Sequence, residues 1–140
     1  MASAFDKQVT AWARKSEQRL LLTYRQSLQD IVEEAQEPVG SGGNMPVISS
    51  FLRNSGDAAL NQLPVGETVK PEDYVPRSWD AEAALLVINR ATFEDKFFFG
   101  WTAVYANRVE EKRGFARLAA QRWPQIVTAA ARKLEQRVRR

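Results

Sequence analysis

Residues 3–36 read SAFDKQVTAWARKSEQRLLLTYRQSLQDIVEEAQ. Phe5, Val9, Trp12, then Leu20, Tyr24, Leu28, Ile31 and Ala35 recur at steps of three or four, interrupted near Ser16. That spacing predicts one long helix. Ser3 stands at the N-cap position, and Asp6 three residues on is a carboxylate suited to the first turn. Glu37-Pro38 ends the run, because the residue before a proline avoids the helical region. A helix over residues 1–37 rises about 1.5 Å per residue and reaches roughly 50 Å, longer than a domain of 140 residues is usually wide. Part of it is therefore expected to project or to pack on a neighbour.

Beyond it, residues 38–46, PVGSGGNMP, carry three glycines between two prolines and are expected to form a flexible connector. A phosphate loop would need Gly-Lys-Ser/Thr after the first glycine, and no Lys follows here. Residues 47–112 are expected to hold a sheet-containing core. Val47, Ile48, Phe51, Leu52 and the stretch 58–63 suggest one or two short strands. Pro71, Tyr74, Pro76 and Trp79 suggest an ordered surface loop over 70–80. The run Ala83-Ala84-Leu85-Leu86-Val87-Ile88 is continuously apolar and is read as a strand covered on both faces.

Phe97, Phe98, Phe99 and Trp101 around Gly100 form the densest aromatic patch. It reads either as a core strand bent at the glycine or as an interface strip. Successive side chains on a strand point to opposite faces, so the three phenylalanines cannot share one side. Phe97, Phe99, Trp101 and Tyr105 are the candidate core or inter-subunit contact. Residues 102–112 suit a short helix. Residues 113–140 are expected to form a C-terminal basic helix with Phe115, Leu118, Ala119, Trp123, Ile126, Val127, Ala130 and Leu134 on one face. Pro124 either kinks this helix or divides it.

Charge is distributed unevenly. Residues 1–111 hold 11 basic and 16 acidic side chains, whereas residues 112–140 hold 9 basic side chains against Glu135 alone. Different partners for the two ends are expected. Arg132, Lys133, Arg137, Arg139 and Arg140 are the candidate basic surface. Three roles are open to it: a solubilising helix end, non-specific contact with DNA in a channel, or an acidic protein surface.

The chain has neither His nor Cys. The commonest general base, the commonest metal ligands, disulfides and thiolate chemistry are thus outside its repertoire. Adjacent carboxylates at Glu94-Asp95 and Glu110-Glu111 do not make an acid–base dyad, which needs opposed geometry. A non-enzymatic protein without cofactor or metal is expected. No apolar run of about 18 residues occurs, so no membrane span is expected, and Asp6 and Lys7 beside Phe5 argue against a secretory leader.

Two further stretches carry a resemblance. One is MPVISSFLRNS, residues 45–55; the other is GWTAVYANRVE, residues 100–110, followed by GFARLAA, residues 114–120. They resemble the tail-completion, or head–tail connector, proteins of long-tailed bacteriophages. Those have a long first helix, a Pro-Val-Asp-Thr-Gly-x-Leu-Arg-x-Ser element, a Tyr-Ala-x-x-x-Glu segment and a Phe-led last helix. Pro46, Val47, Leu52, Arg53, Ser55, Tyr105, Ala106, Glu110 and Phe115 agree, while Ile48 replaces the usual Asp and Ser50 the usual Gly. The resemblance implies an α+β fold, an antiparallel sheet flanked by a long N-terminal helix and a C-terminal helix. It also implies a ring of identical copies, six expected, in the phage neck between the head-side connector or adaptor and the tail terminator or tube. The location implied is the virion, assembled in the host cytoplasm. The rival expectation is a small DNA-binding regulator using the basic C-terminal helix; an enzyme working through carboxylates or Tyr is the remotest.

Overall fold

A computed structural model describes residues 3–139. Helix α1 spans Ala4–Ala35. Its first turn is closed reciprocally: the Asp6 N–H donates to Ser3 Oγ at 3.1 Å and the Ser3 N–H donates to Asp6 Oδ2 at 3.2 Å. Only its second half is covered; Ser27, Leu28, Val32 and Ala35 are buried.

The segment expected as a flexible connector closes on itself instead. A short 3-10 turn over Val39–Ser41 is held by Val39 N–H to Met45 O and Met45 N–H to Glu37 O, both 3.0 Å. Met45 is wholly buried and anchors the returning strand of the loop. A Cβ at Gly43 would collide with the Glu37 carbonyl, so this glycine serves a close backbone approach.

After α2 (Phe51–Asn54), strand β1 (Gly56–Leu60) pairs antiparallel with β2 (Phe97–Trp101), placing Gly56 opposite Trp101, Ala58 opposite Phe99 and Leu60 opposite Phe97. These two strands are the whole sheet among the described residues. The fold is α+β, an antiparallel sheet flanked by a long N-terminal helix and a C-terminal helix. Asn61, at φ 65°, receives the Lys96 N–H on Oδ1 at 3.0 Å, and its own N–H donates to Lys96 O at 2.7 Å, closing that end of the pair.

The run 83–88 is not a strand. It lies in α3 (Glu82–Arg90), where Ala84 and Ile88 are buried one turn apart while Leu86 stays exposed. A short apolar run is compatible with either element, and this one is dominated by Ala and Leu, the better helix formers. Asp80 accepts the Glu82 N–H at 2.9 Å and helps start it. Val47 and Ile48 are likewise exposed loop, Ile48 at 97%.

The loop over 70–80 is tied down as expected. Asn54 Nδ2 donates to Tyr74 Oη at 2.8 Å and to Arg77 O at 2.9 Å, and Trp79 meets Phe99 edge-on at 6.2 Å.

Three helices complete the chain: α4 (Ala106–Arg113), α5 (Phe115–Gln121) and α6 (Trp123–Arg139). Gly114, at φ 66°, turns α4 into α5. The Glu110 carboxylate then accepts the free N–H groups of Ala116 and Arg117, both at 2.9 Å. Pro124 sits in the first turn of α6, where its missing N–H costs nothing, so the expected kink is a break into two helices. No helix among the described residues is long and apolar enough to cross a membrane.

One buried carboxamide joins these parts. Gln36 has no solvent exposure. Its Nε2 donates to Arg53 O at 2.8 Å, its Oε1 accepts Trp101 Nε1–H at 2.9 Å, and its carbonyl accepts Arg53 Nε–H at 2.9 Å. Replacing Gln36 by Leu strands the indole N–H and the Arg53 carbonyl in the interior, each costing about 1–3 kcal/mol. We expect a loss of about 2–4 kcal/mol in urea unfolding; a loss below ~0.5 kcal/mol would show that the network does not hold the fold. Ser50, where the resembled pattern carries glycine, sits at φ 66° in the left-handed region. Ser50→Gly relieves a backbone strain of about 1–2 kcal/mol and gives back part of that as chain entropy. The same unfolding curve should move up by ~0.5–1 kcal/mol.

Candidate assembly interface

From Ser3 to Leu20 every residue of α1 is exposed except Ala13 and Ser16, which are half-buried. Phe5 is 71%, Val9 47% and Trp12 70% exposed. These three lie at i, i+4 and i+7, on one face of the helix. The same face, followed down the helix, reaches the line on which α6 packs antiparallel to α1. There Asp30 meets Lys133 and Glu34 meets Arg122, while Ile126 and Ala130 of α6 are buried. Near the end of α6, Arg137 shares a shallow groove with Leu22 and Arg25. Beyond it about 18 residues of α1 continue alone, some 25 Å at 1.5 Å per residue.

At the other end of α1 lies a cleft of about 330 Å³ lined by apolar side chains alone. Leu28, Ile31, Val32 and Ala35 of α1 form one wall, Phe97, Phe99 and Trp101 of β2 the second, and Ala116, Ala119 and Ala120 of α5 the third, with Trp123 at the corner. Three of the four candidate contact residues therefore share one cleft. Their side of the sheet follows from the alternation of β2: Phe97, Phe99 and Trp101 face inward, and Phe98 points to the opposite face with Ala59. Trp101 is stacked edge-on against Phe99 at 5.1 Å and Phe115 at 4.7 Å, which fixes this wall rigidly. The small side chains of α5 were not singled out by sequence reasoning as cleft-forming, since an alanine announces nothing by its own chemistry.

Tyr105 stands apart from that cleft. It packs on the cluster of Met45, Leu52, Ala106 and Phe115, which Trp101 and Ala116 of the cleft wall also touch, its ring 6.3 Å from Phe51. Burial raises the pKa of its phenol, opposed by hydrogen bonds from Ser49 and Leu52. Tyr24 is raised by burial and then by the nearby Asp95 charge. Asp95 is itself lowered, first by the Asn61 amide and then by Thr92. These shifts accompany turn and core contacts, and no two titratable groups among them face each other across a cavity.

A second groove, of about 430 Å³, runs between the end of α1, the 41–44 loop and α6. It is bordered by Asp30, Glu33, Glu34 and Glu37, with Arg122 and Lys133 across from them. The last turn of α1 contains no basic residue, so these carboxylates meet the negative end of the helix dipole. Arg122 and Lys133 take up Glu34 and Asp30; no ion pair of Glu33 or Glu37 is found among the described residues.

Of the candidate basic residues, Lys133 and Arg137 border one groove against α1. Lys133 is engaged by Asp30 at 3.4 Å, Arg132 is exposed, and Arg137 lies beside Leu22 and Arg25 of α1. Arg140 and the Arg139 side chain lie outside the described residues. Among the described residues no group of three or more carboxylates is arranged to hold a metal ion.

Comparison with known proteins finds no matching family model, no matching curated protein and no matching solved structure.

Because none of the described residues before Leu20 is buried, removing residues 1–18 should leave the body's unfolding free energy within about 1 kcal/mol of the full chain, the size of one lost helix cap. A larger drop in thermal or urea unfolding would mean that the exposed half of α1 packs on its own body.

Proposed function

We propose that this chain is a structural assembly protein of the phage neck, a tail-completion or head–tail joining subunit. Identical copies form a ring, six expected, between the head-side connector and the tail terminator or tube. The observation that carries the reading is the projecting half of α1. Phe5, Val9 and Trp12 offer an apolar stripe to solvent that no described residue covers. Exposed aromatic stripes of this kind mark interaction sites.

Two features support the reading further. The residues on which the resemblance rests come together although they are far apart in sequence. Leu52, Ala106 and Phe115 are buried in one cluster with Tyr105 beside them, Arg53 holds Gln36, and Glu110 caps α5. The repertoire of side chains also favours contact over chemistry, since His and Cys are absent. The DNA-binding alternative has weaker support, because Lys133 and Arg122 are engaged by carboxylates of α1. Contact with DNA passing through a ring remains part of the proposal through Arg132 and Arg137.

Disrupting the gene in a phage that encodes this chain should give filled heads and finished tails that do not join, seen by electron microscopy of the lysate and restored by supplying the chain in trans. Normal joined particles in its absence would rule the role out.

A further inference from the structure

A groove of about 200 Å³ lies where α1, the end of α3 and the end of α6 meet. Arg25 of α1 and Lys133 and Arg137 of α6 border it, Asn89 of α3 closes one side, and Leu22 and Leu134 supply apolar surface. No carboxylate is among its lining residues. Its two glutamines spend their amide donors elsewhere, Gln26 on Asp30 at 2.8 Å and Gln29 on Glu33 at 3.3 Å.

The cations here are poorly compensated. Lys133 has Asp30, at 3.4 Å. No ion pair of Arg25 or of Arg137 is found among the described residues. Arg25 is half-buried, and its Nε–H donates to Ala91 O at 3.0 Å, which fixes the guanidinium plane. It stands in the middle of α1, so the dipole of its own helix does not account for it. Cations bordering one groove repel each other, and an anion set between them removes that cost.

We propose that this groove takes the carboxylate of an acidic protein segment, with an apolar neighbour of that carboxylate covering Leu22 and Leu134. The inference goes beyond the assembly reading and does not rest on it. Arg137 is then taken by protein, which leaves Arg132 for any contact with DNA in a channel.

Two features select a short acidic segment over nucleic acid. Leu22 is 50% exposed, and a phosphate backbone laid in the groove would leave that apolar surface wet. An extended polyanion must also continue beyond the groove, and the next groove along α1 and α6 is bordered by Asp30, Glu33, Glu34 and Glu37, which repel it. A side-chain carboxylate ends inside the groove and meets neither difficulty. Its planar pair of oxygens matches the two Nη groups that Arg25 keeps free of the Ala91 contact. The volume, below the range of about 300–1,000 Å³ of small-molecule sites, suits one or two side chains and not a whole metabolite.

The test titrates the full chain against a peptide, Gly-Glu-Leu-Asp-Leu-Gly, carrying an uncharged dye, and follows anisotropy. Its carboxamide counterpart, Gly-Gln-Leu-Asn-Leu-Gly, is the control. The acidic peptide should bind saturably and more weakly as salt rises, and the counterpart should bind about 10-fold less tightly or worse, the worth of one charge-assisted contact. Arg137→Gln should cost about 10-fold, and so should Leu22→Glu, which sets a carboxylate of the chain's own beside the groove. Both positions are exposed, and unfolding curves matching the parent protein confirm that the variants fold. Equal binding of the two peptides, no saturation below about 1 mM, or binding unchanged in both variants would overturn the proposal. Mixed-sequence duplex DNA and inorganic phosphate serve as competitors. Displacement by DNA at concentrations below those of unlabelled peptide would give the groove to nucleic acid and would overturn it equally. None of these results bears on the neck role, which gene disruption tests separately.

Discussion

Everything in this fold is referred to one amide that never meets water. Gln36 ends α1, and its three hydrogen bonds reach α2 through Arg53 and β2 through Trp101. A buried carboxamide left without partners is costly, so the chain has few ways to place these three elements together. The neighbouring residues are shaped by this choice. Gly56 lies opposite Trp101 in the register, and a Cβ there would stand 2.6 Å from Gln36 Nε2 and 2.8 Å from the Phe99 ring. Arg53, whose Nε is held by the Gln36 carbonyl, places its guanidinium 5.7 Å from the centre of the Trp79 ring, drawing the 61–80 loop over the same spot. A short two-stranded sheet is marginal by itself. Here it is stiffened by an amide on one side and a stack of edge-on aromatic rings on the other.

Fixing the end of α1 in this way also fixes its direction. The helix is continuous from Ala4, and the last helix covers it from the C-terminal end only as far as the region of Leu22 and Arg25. Among the described residues none from Ser3 to Leu20 is buried. The exposed stripe is therefore a geometric consequence of an anchored helix longer than the body that anchors it. Were the anchor loose, the helix could swing and present its stripe in many directions, and the loss of that freedom would oppose binding. A rigid base lowers that cost.

Much of this was legible in the sequence, and the failures have identifiable causes. The long helix, its Ser3 start and its end before Pro38 all rest on local signals, spacing and capping, which act within a turn. The length of α1 against the size of the domain announced the projection. The segment 83–88 was misread because six apolar residues in a row carry no period, and the neighbours that decide between helix and strand lie elsewhere in the chain. The connector was misread as open because three glycines suggest freedom, whereas Gly43 is there to let the backbone approach Glu37. For the candidate interface, the aromatic wall at Phe97, Phe99 and Trp101 was visible, and Tyr105 meets it through the cluster of Met45, Leu52 and Phe115, against which Trp101 also packs. The role of Gln36 gave no signal at all: its partners are 17 and 65 residues away, and a glutamine before a proline turn reads as solvated.

What the two ends of α1 share is that each lacks what the other has. The exposed half carries unpartnered aromatic surface and excess positive charge; the base carries an unfilled apolar cleft and carboxylates at the unfavourable end of the helix dipole. A two-fold pair satisfies such divided character by reciprocal exchange, each copy giving one end and receiving the other. A head-to-tail contact satisfies it one copy at a time, and the assembly reading proposed above is compatible with either. That reading rests on where α1 is anchored and not on what any catalytic group could do.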